Sequence, residues 1–582
     1  MRSRISSALF FSSACLIAGM RATARDNDVG GLANAYLEHY FAMFPSRATE
    51  AGRHDVDSKL EDFSKKKIAQ WIEFNRAVRG ALVARLQDSK LSFDDKLDGE
   101  ALLGQIDREL NSLTVLRRAE RDPLYWSSVV GNAVVFLLVR DDFPFGERQQ
   151  HAKARAENLP RFAREGRQQF SHVDPKLVAP EFCQIAAGQL RATAKFYQEG
   201  FVAAINGDDS ARKQSADVAA ALLEFATTLD ELGKKAKGTP RLGAAYAETF
   251  RAGTGGVTES PSKVLARAQS DLAATRKEIA DYGRSVWSTL MSNEPPPKED
   301  VDLVRRLFAR IESDHGKSVD DALAQWRGNV SELDKLVHEK KIMTLPDPLT
   351  LIVDRSPSFF VGQSVGGVYP PGPYAPDAKT ILFLPAPSAG ATAEQRDAFF
   401  RDFNEHFNKM ITAHELIPGH YVQFKIAAHQ PHKVRTLFPD PLYVEGWGTF
   451  CERLMLDNDW GGSLERLAHF KKQLENIART IIDVRVHTEN LPREEVIRFV
   501  KNEALQGDQL AANMWTRAIT TSPQITSYYL GYGKVRQAYD AARSSGGDKF
   551  ELQKFMDGMM ELGPVRLEHY IDKFSAKEAA CH

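Results

Sequence analysis

Hydrophobic residues recur every three or four positions over much of the first half of the chain, with polar residues between them. This spacing places the apolar side chains on one face of an α-helix. It predicts long amphipathic helices from about residue 28 to 250, with the clearest at 34–43, 67–87, 96–119 and 185–204. A further helix is predicted at 263–287, after a glycine-rich loop at 253–262.

Two short segments have the composition of β-strands. Residues 349–353 and 380–384 are rich in β-branched and aromatic side chains and lie between proline and glycine residues. A loop dense in proline, glycine and tyrosine, residues 366–376, separates them. The pattern therefore predicts a mainly helical protein with a small β-sheet.

The second predicted strand leads towards a helix that begins with a capping box, Thr392 with Gln395. The apolar residues that follow at helical spacing are Phe399, Phe403, Phe407 and Met410. His414 continues the same face, so we expect its side chain to point into the core. A single histidine in that position would ordinarily bond a backbone carbonyl, and the residues after it decide between that role and a chemical one.

His414 opens the segment His-Glu-Leu-Ile-Pro-Gly-His, which ends at His420, and Glu445 follows in Val-Glu-Gly-Trp. Two histidines and a glutamate are a common ligand set of catalytic zinc, which keeps a fourth position for water. Zinc lowers the pKa of that water, and a nearby carboxylate can accept its proton. We therefore predict that His414, His420 and Glu445 bind Zn²⁺ and that Glu415 is the general base.

The spacing of the two histidines differs from the usual helical zinc motif, H-E-x-x-H. On a regular helix, residues separated by six positions point about 120° apart and could not share one metal. Pro418 has no N–H to give to the carbonyl of His414, and Gly419 permits backbone angles that other residues avoid. A helix that breaks just after Glu415 would bring His420 back to the face of His414.

Glu445, Thr449 and Glu452 lie on one face of the next predicted helix. Glu452 could orient a ligand histidine through the ring nitrogen that does not face the metal. The alternative is a solvated charge on the helix surface.

Together these motifs resemble the signature of the domain-of-unknown-function 885 family (DUF885), H-E-x-x-P-G-H-x-x-Q followed by E-G-W-A. Gly448 stands where that family usually has alanine. The stretch from Arg479 to His487 resembles its R-x-x-x-D-x-x-x-H segment, and residues 523–531 resemble its proline–glutamine–tyrosine–glycine segment. The resemblance covers about residues 380–575 and is diffuse before them.

The family looks like a distant relative of the gluzincin peptidases, mainly helical enzymes that bind zinc with two histidines and a glutamate. The resemblance implies a gluzincin-like fold with a small sheet beside the active-site helix. It also suggests that His487 and Tyr528 stabilise the oxyanion of the reaction. The alternatives are a surface position for His487 and a place in an aromatic core for Tyr528.

In zinc peptidases an edge strand beside the metal helix commonly pairs with the substrate backbone. The predicted strand that leads to His414 is our candidate for this role, against the alternative of a core strand. Its residues are Thr380, Ile381, Leu382, Phe383 and Leu384.

The start of the chain has the pattern of a secretory signal peptide, residues 1–24. Arg2 and Arg4 precede an apolar run at about residues 5–19, and Ala22-Thr23-Ala24 is a cleavage site of the A-x-A form. The run is too short to span a bilayer comfortably, and no later run of about 18 apolar residues follows. We therefore expect a periplasmic or secreted protein that is not transmembrane after cleavage near Ala24.

Lipid anchoring at Cys15 is an alternative that we do not expect, because the preceding Ser12-Ser13-Ala14 lacks the usual leucine. The mature chain would exceed the usual size of a single hydrophobic core, so two lobes with a deep cleft are expected. We divide it into an N-terminal helical region at 25–290 and a catalytic region at 300–582.

Charge and motif content exclude several function classes. Lys and Arg number 76 and Asp and Glu 77, so no basic surface for nucleic acid is expected. Walker-type phosphate loops of the form G-x-x-x-x-G-K are absent from the sequence.

Three functions remain. The first is a zinc metallopeptidase that cleaves short peptides. The second is a non-peptidase metal hydrolase on the same scaffold, and the third is an exported binding protein that keeps these residues without catalysis. Metal content separates the third from the others, and a substrate screen separates the first two. The sequence leaves the oligomeric state open.

Overall fold

The computed structural model describes residues 28–291, 294–357, 367–387 and 390–575. Helices dominate these residues, and the sheet among them has three short strands. The predicted mainly helical fold with a small sheet is confirmed. No helix in these ranges is long and apolar enough to cross a membrane. The predicted signal peptide, with Cys15, lies outside the described residues.

Short amphipathic helices follow one another through the first part of the chain. They are α1 (Val29–Met43), α2 (Pro45–Glu50), α3 (Lys65–Arg85), α4 (Phe93–Leu110), α5 (Arg118–Arg121), α6 (Pro123–Asn132), α7 (Val135–Val139), α8 (Phe145–Ala156), α9 (Leu159–Ser171), α10 (Pro180–Glu199), α11 (Phe201–Ala204) and α12 (Asp209–Gly233). A π-helical turn, Asn111–Val115, extends α4, and a 3₁₀ turn, Pro175–Leu177, precedes α10. The four helices predicted most clearly in this part are confirmed as α1, α3, α4 and α10, but the one predicted at 96–119 ends at Leu110 and continues only as the π-helical turn.

Several of these helices begin where the sequence provides a capping side chain. Ser64 accepts a hydrogen bond from the N–H of Lys67, and Ser92 accepts one from the N–H of Asp95. Each bond satisfies a backbone donor that the first turn of a helix leaves without a partner. The apolar faces then meet in one large core around residues such as Tyr36, Trp126 and Phe225.

The rest of the chain adds longer helices. They are α13 (Tyr246–Gly253), α14 (Pro261–Leu290), α15 (Asp300–Ser313), α16 (Val319–Glu339), α17 (Ala393–Asp402), α18 (Glu405–Glu415), α19 (His420–His429), α20 (Lys433–Leu437), α21 (Pro441–Asp457), α22 (Ser463–Thr488), α23 (Arg493–Asn502), α24 (Asp508–Thr521), α25 (Ser527–Gly546), α26 (Leu552–Gly558) and α27 (Leu567–Ser575). Short 3₁₀ turns lie at Gly243–Ala245, Gln524–Thr526 and Gly547–Lys549.

This second part contains several further cores, of which two are the largest. One contains Met410, Tyr421 and Trp447 and joins α18, α19, α21 and α25 to the sheet. The other contains Leu272 and Leu474 and joins α14 and α15 to α22. Helix α14, which the sequence analysis placed in the N-terminal region, therefore packs against a helix of the predicted catalytic region.

The strands are β1 (Leu351–Arg355), β2 (Gly367–Tyr369) and β3 (Thr380–Leu384), in the order β1–β3–β2. Strand β3 pairs in parallel with β1, so that Leu382 lies opposite Val353, and antiparallel with β2, so that Leu382 also lies opposite Val368. All five residues of β3 are buried.

The prediction of an edge strand at β3 is therefore wrong. Thr380, Ile381, Leu382, Phe383 and Leu384 form the central strand, and its middle three residues have partners on both sides. Their backbone groups cannot pair with a substrate. The error arose because β2, with three residues, lies inside a segment predicted as a loop and is too short to show an alternating pattern.

The helix predicted to run from the capping box to His414 is also divided. The capping box of Thr392 and Gln395 is confirmed, but α17 ends at Asp402. Asn404 then caps α18 by accepting a hydrogen bond from the N–H of Phe407. An asparagine side chain that competes for backbone donors favours such a new start over a continuous helix.

Candidate metal centre

The segment between the two histidines breaks the helix, as predicted. Helix α18 ends at Glu415 and α19 begins at His420. At Gly419 a Cβ atom would lie 1.8 Å from the carbonyl oxygen of His414, so no other residue fits without a shift of the backbone. The two histidine rings then meet nearly at right angles, with 4.7 Å between their centroids.

This turn brings the three predicted ligands together, and we call His414, His420 and Glu445, which could hold a metal ion, the metal centre. One ligand atom of each lies within 4.8 Å of the other two. The Nε2 atoms of His414 and His420 are 3.8 and 3.7 Å from Oε2 of Glu445. Ligand atoms of a tetrahedral zinc ion lie about 3.3 Å apart, so small side-chain movements would suffice to bind one.

The other ring nitrogen of each histidine has its own partner. Nδ1 of His414 lies 2.8 Å from a carboxylate oxygen of Glu452, and Nδ1 of His420 lies 3.1 Å from Oε1 of Gln423. A proton on each Nδ1 leaves the Nε2 lone pair directed at Glu445, which is the tautomer a metal requires. Glu452 is fully buried, so its alternative role as a solvated charge is wrong.

Burial and ion pairing set the charges of this centre without a metal. Burial lowers the pKa of His414, but Glu445 and Glu452 together raise it to about 10. Burial raises the pKa of Glu452, but His414 and His469 outweigh that and hold it at about 2. The same balance with His414 and His420 keeps the pKa of Glu445 well below its usual range. A metal ion would thus compete with a proton held among these groups.

After the ligand Glu445, the next three residues of α21, Gly446, Trp447 and Gly448, each make a contact that shapes the metal centre. At Gly446 a Cβ atom would lie 2.4 Å from the backbone carbon of Gly531, so α21 and α25 touch through their backbones. Trp447 is buried, and its Nε1 donates to the carbonyl oxygen of Pro418 at 2.9 Å, which holds the break between α18 and α19. At Gly448 a Cβ atom would lie 2.8 Å from Nε2 of His414, so the glycine makes room for that ring.

These motifs resemble the signature of a known family, and a comparison of the whole chain decides whether it belongs to that family. The sequence profile of the family described as "Bacterial protein of unknown function (DUF885)" matches residues 45–570. The chain belongs to the DUF885 family. No curated protein matches its sequence.

Two solved structures resemble this chain over nearly all of their length. One is described as "a putative lipoprotein of unknown function" from Shewanella oneidensis; it is 21% identical, with a TM-score of 0.76, and the match covers 94% of this chain and 99% of that one. The other is described as "the putative lipoprotein" from Colwellia psychrerythraea; it is 15% identical, with a TM-score of 0.73, and the match covers 93% and 98%. At these identities the likeness shows a shared fold.

Glu415, the predicted general base, is the last residue of α18. It is only partly buried, and its charge contributes to the raised pKa of His414. It therefore lies beside the metal centre with access to solvent, and its role stays a prediction.

Tyr528, at the start of α25, also lies beside the centre. Its ring is stacked on that of His414 with 6.4 Å between centroids. Burial, followed by the charge of Glu445, raises the pKa of Tyr528, so the hydroxyl keeps its proton at neutral pH. A protonated hydroxyl in this place can donate a hydrogen bond to a developing negative charge.

His487 is not brought to the metal centre. Its Nδ1 accepts from the N–H of Leu242 at 3.1 Å, its Nε2 lies 3.0 Å from the carbonyl oxygen of Ala518, and its ring stacks on Tyr246. With both nitrogens engaged, no donor is left for an oxyanion, so the predicted catalytic role of His487 is not supported by its surroundings. The alternative of a surface position is wrong, because His487 is 1% exposed. We call His487, together with Leu242, Tyr246 and Ala518 around its ring, the His487 pocket.

The sequence analysis missed one polar contact of the metal centre. Nε2 of Gln524 donates to Oε1 of Glu445 at 2.8 Å. Gln524 lies in the family's proline–glutamine–tyrosine–glycine segment, which was the available signal. Its partner is far away along the chain, so no local spacing could have paired the two.

Proposed function

We propose that this protein is a zinc-dependent metallopeptidase that hydrolyses short peptides. The observation that carries the proposal is the convergence of His414, His420 and Glu445, with both outer histidine nitrogens held by Glu452 and Gln423. A zinc ion bound there would supply a Lewis acid and lower the pKa of a water molecule.

The protein's own residues provide the rest of the chemistry. Glu415 accepts a proton from the attacking water, because it stands beside a ligand and is open to solvent. Tyr528 donates a hydrogen bond to the oxyanion of the tetrahedral intermediate. Gln524 holds one oxygen of Glu445 and leaves the other, Oε2, nearest to the two histidines.

The test combines metal analysis with a library of short peptides. The purified protein is expected to retain about one zinc per chain after dialysis and to cleave members of the library. Glu415→Gln should keep the metal and lose activity by about 10²- to 10⁴-fold, since it removes proton transfer but no ligand. Glu489→Gln, the same substitution at the exposed end of α22, is the matched control and should leave both properties unchanged.

The other outcomes would contradict the residue roles or indicate a different function. A Glu415→Gln protein that loses zinc or stays active contradicts the assigned roles. Bound zinc with hydrolysis of esters or other amides, but of no peptide, indicates a non-peptidase metal hydrolase. Absence of bound metal indicates a binding protein without this catalysis.

We further propose that the protein is exported. The sequence favours cleavage near Ala24, whereas the two structural relatives described as lipoproteins favour a lipid-modified Cys15. Mass spectrometry of the mature N-terminus separates these forms, because a start near Arg25 and a diacylated Cys15 differ in both sequence and mass.

A further inference from the structure

A group of cationic side chains adjoins the metal centre. Lys472 and Arg479 on α22 and Arg517 on α24 surround the ring of Tyr528. The guanidinium carbons of Arg479 and Arg517 lie 4.7 and 5.8 Å from the ring centroid, and Nζ of Lys472 lies 6.0 Å from it. We call Lys472, Arg479 and Arg517 the cationic cluster.

The acidic residue within this cluster is Glu475, which is buried together with Lys472 and Arg479. It lies 3.1 Å from Nζ of Lys472 and also pairs with Arg479. Among the described residues, Arg517 has no ion pair within 4.0 Å, and Nε of Arg479 is buried without a hydrogen-bond partner. Glu475 is thus the carboxylate in direct ion pairs with the cluster, and Glu445 and Glu452 act on Arg517 and Lys472 from a greater distance.

Such an excess of charge is costly in a protein interior. Buried cations are normally paired, because the attraction of a partner must offset the loss of hydration. Here burial, followed by the charge of Arg479, lowers the pKa of Lys472, as expected where positive charge is incompletely balanced. An anion bound beside Tyr528 would restore the balance.

The cluster is connected directly to the metal centre. Nη2 of Arg517 donates to Oε1 of Gln524 at 3.2 Å, and Nε2 of Gln524 donates to Oε1 of Glu445 at 2.8 Å. Tyr528, which the cluster surrounds, stacks on His414. A group bound by the cluster would therefore be separated from Glu445 and His414 only by the side chains of Gln524 and Tyr528.

We propose that the cationic cluster is a carboxylate subsite, so that the substrate carries a free carboxylate close to the bond that is cleaved. Arg517 is the most exposed of the three and makes the direct contact, since a guanidinium pairs well with a carboxylate. Lys472 and Arg479 lie behind Tyr528 and add positive potential. This proposal rests on the proposed function: it names the substrate class of the same site.

The carboxylate could be the C-terminus of a peptide or an acidic side chain near it. The test therefore uses three peptides of one otherwise identical short sequence: a neutral peptide with a free C-terminus, the same peptide with a C-terminal amide, and an amidated peptide with glutamate at the last position. Binding is measured by calorimetry to the zinc-loaded Glu415→Gln protein, which should not consume the peptides.

The free-acid peptide is expected to bind about 10- to 100-fold more tightly than the neutral amide, the range for a hydrogen-bonded charge pair. Arg517→Gln in the same background should remove this preference, and Arg517→Lys should restore part of it. Arg498→Gln, which removes an exposed arginine of α23, is the matched control and should leave the preference unchanged. Tight binding of the glutamate peptide alone would assign the subsite to an acidic side chain.

Equal binding of all three peptides, or a preference that survives Arg517→Gln in a protein with unchanged thermal unfolding, would overturn the subsite. Failure of the proposed function looks different. In that case the wild-type protein binds no zinc or cleaves none of the three peptides. The carboxylate preference is still measurable by calorimetry, on the metal-free Glu415→Gln protein where no zinc binds.

Discussion

The metal centre and the His487 pocket both bury histidine beside aspartate or glutamate, yet they prepare the ring for opposite uses. In the metal centre each histidine gives one nitrogen to a neighbouring side chain and leaves the other facing Glu445. In the His487 pocket both nitrogens engage backbone groups, those of Leu242 and Ala518. The partner of the second nitrogen, and not burial itself, decides whether a buried histidine is free to bind a metal.

The pKa values of His414 and His487 differ for the same reason. Burial lowers both, but the carboxylates around His414 raise its pKa to about 10, whereas His487 is left at about 4. Asp483, four residues before His487, does not supply the opposing charge. Burial raises the pKa of Asp483 to about 7, and Oδ2 of Asp483 accepts a hydrogen bond from the hydroxyl of Tyr246.

Removal of a ligand should give the largest difference between the two regions. His420→Ala and Glu445→Ala should each lose the zinc that the wild type retains, because two remaining ligands hold it far less tightly. His487→Ala should keep one zinc per chain while lowering thermal stability by about 2–4 kcal/mol, the cost of a cavity and two unpaired backbone groups. Metal analysis after dialysis and thermal unfolding measure both. Zinc retained by both ligand variants would refute the ligand assignment.

The break between α18 and α19 provides the next test. Pro418-Gly419 replaced by Ala-Ala should weaken zinc affinity by at least about 100-fold, because residues that favour a continuous helix turn His420 away from His414. The Cβ at position 419 would also meet the carbonyl oxygen of His414. Gly188→Ala in α10, where a Cβ meets no other atom within 4 Å, is the control and should stabilise the protein by about 1 kcal/mol. A folded Ala-Ala variant with unchanged zinc affinity contradicts the explanation.

The His487 pocket should also make stability depend on pH. Its folded pKa of about 4 lies below the unfolded value of about 6.5, so the unfolded chain binds the proton more readily. Stability from the neutral ring is therefore present above pH 6.5 and is lost as the pH falls towards 4, by up to about 3 kcal/mol. Thermal unfolding of metal-free wild type and His487→Gln over this range should show a steeper loss in the wild type. Parallel curves would mean that His487 does not carry the effect.

Glu452 should give the smallest of these effects. Glu452→Gln keeps the shape of the side chain but weakens its bond to Nδ1 of His414, and such outer partners typically contribute about 10- to 100-fold to metal affinity. Competition with a zinc chelator measures the change. The exposed Glu489→Gln is again the control, and equal affinities of the two variants would show that Glu452 does not tune the ligand.

Local signals in the sequence were enough to predict much of the metal centre. Thr392 and Gln395 form the predicted capping box, the chain breaks between Glu415 and His420, and strand β3 has the predicted residues. Each of these features depends on residues close together in the sequence, where spacing and backbone preferences act directly.

Features that depend on distant partners were missed. The place of β3 in the centre of the sheet depends on β2, whose three residues carry no pattern of their own. The cationic cluster joins α22 to α24, and Gln524 reaches Glu445 across a long stretch of chain. Arg479 and Gln524 lay in segments that resembled the family, but only the fold shows which groups they face.

The contact between Gly446 and Gly531 has a consequence for how related sequences can diverge. A Cβ on either glycine would strike the backbone of the opposite helix, so a change at one cannot be compensated at the other. Both glycines should therefore persist wherever α21 and α25 are retained, whether or not the homologue has the proposed activity. His414 and Glu415 are under no such constraint. Homologues that keep the glycine pair but have replaced the histidine and glutamate would retain the fold without the residues of the proposed reaction.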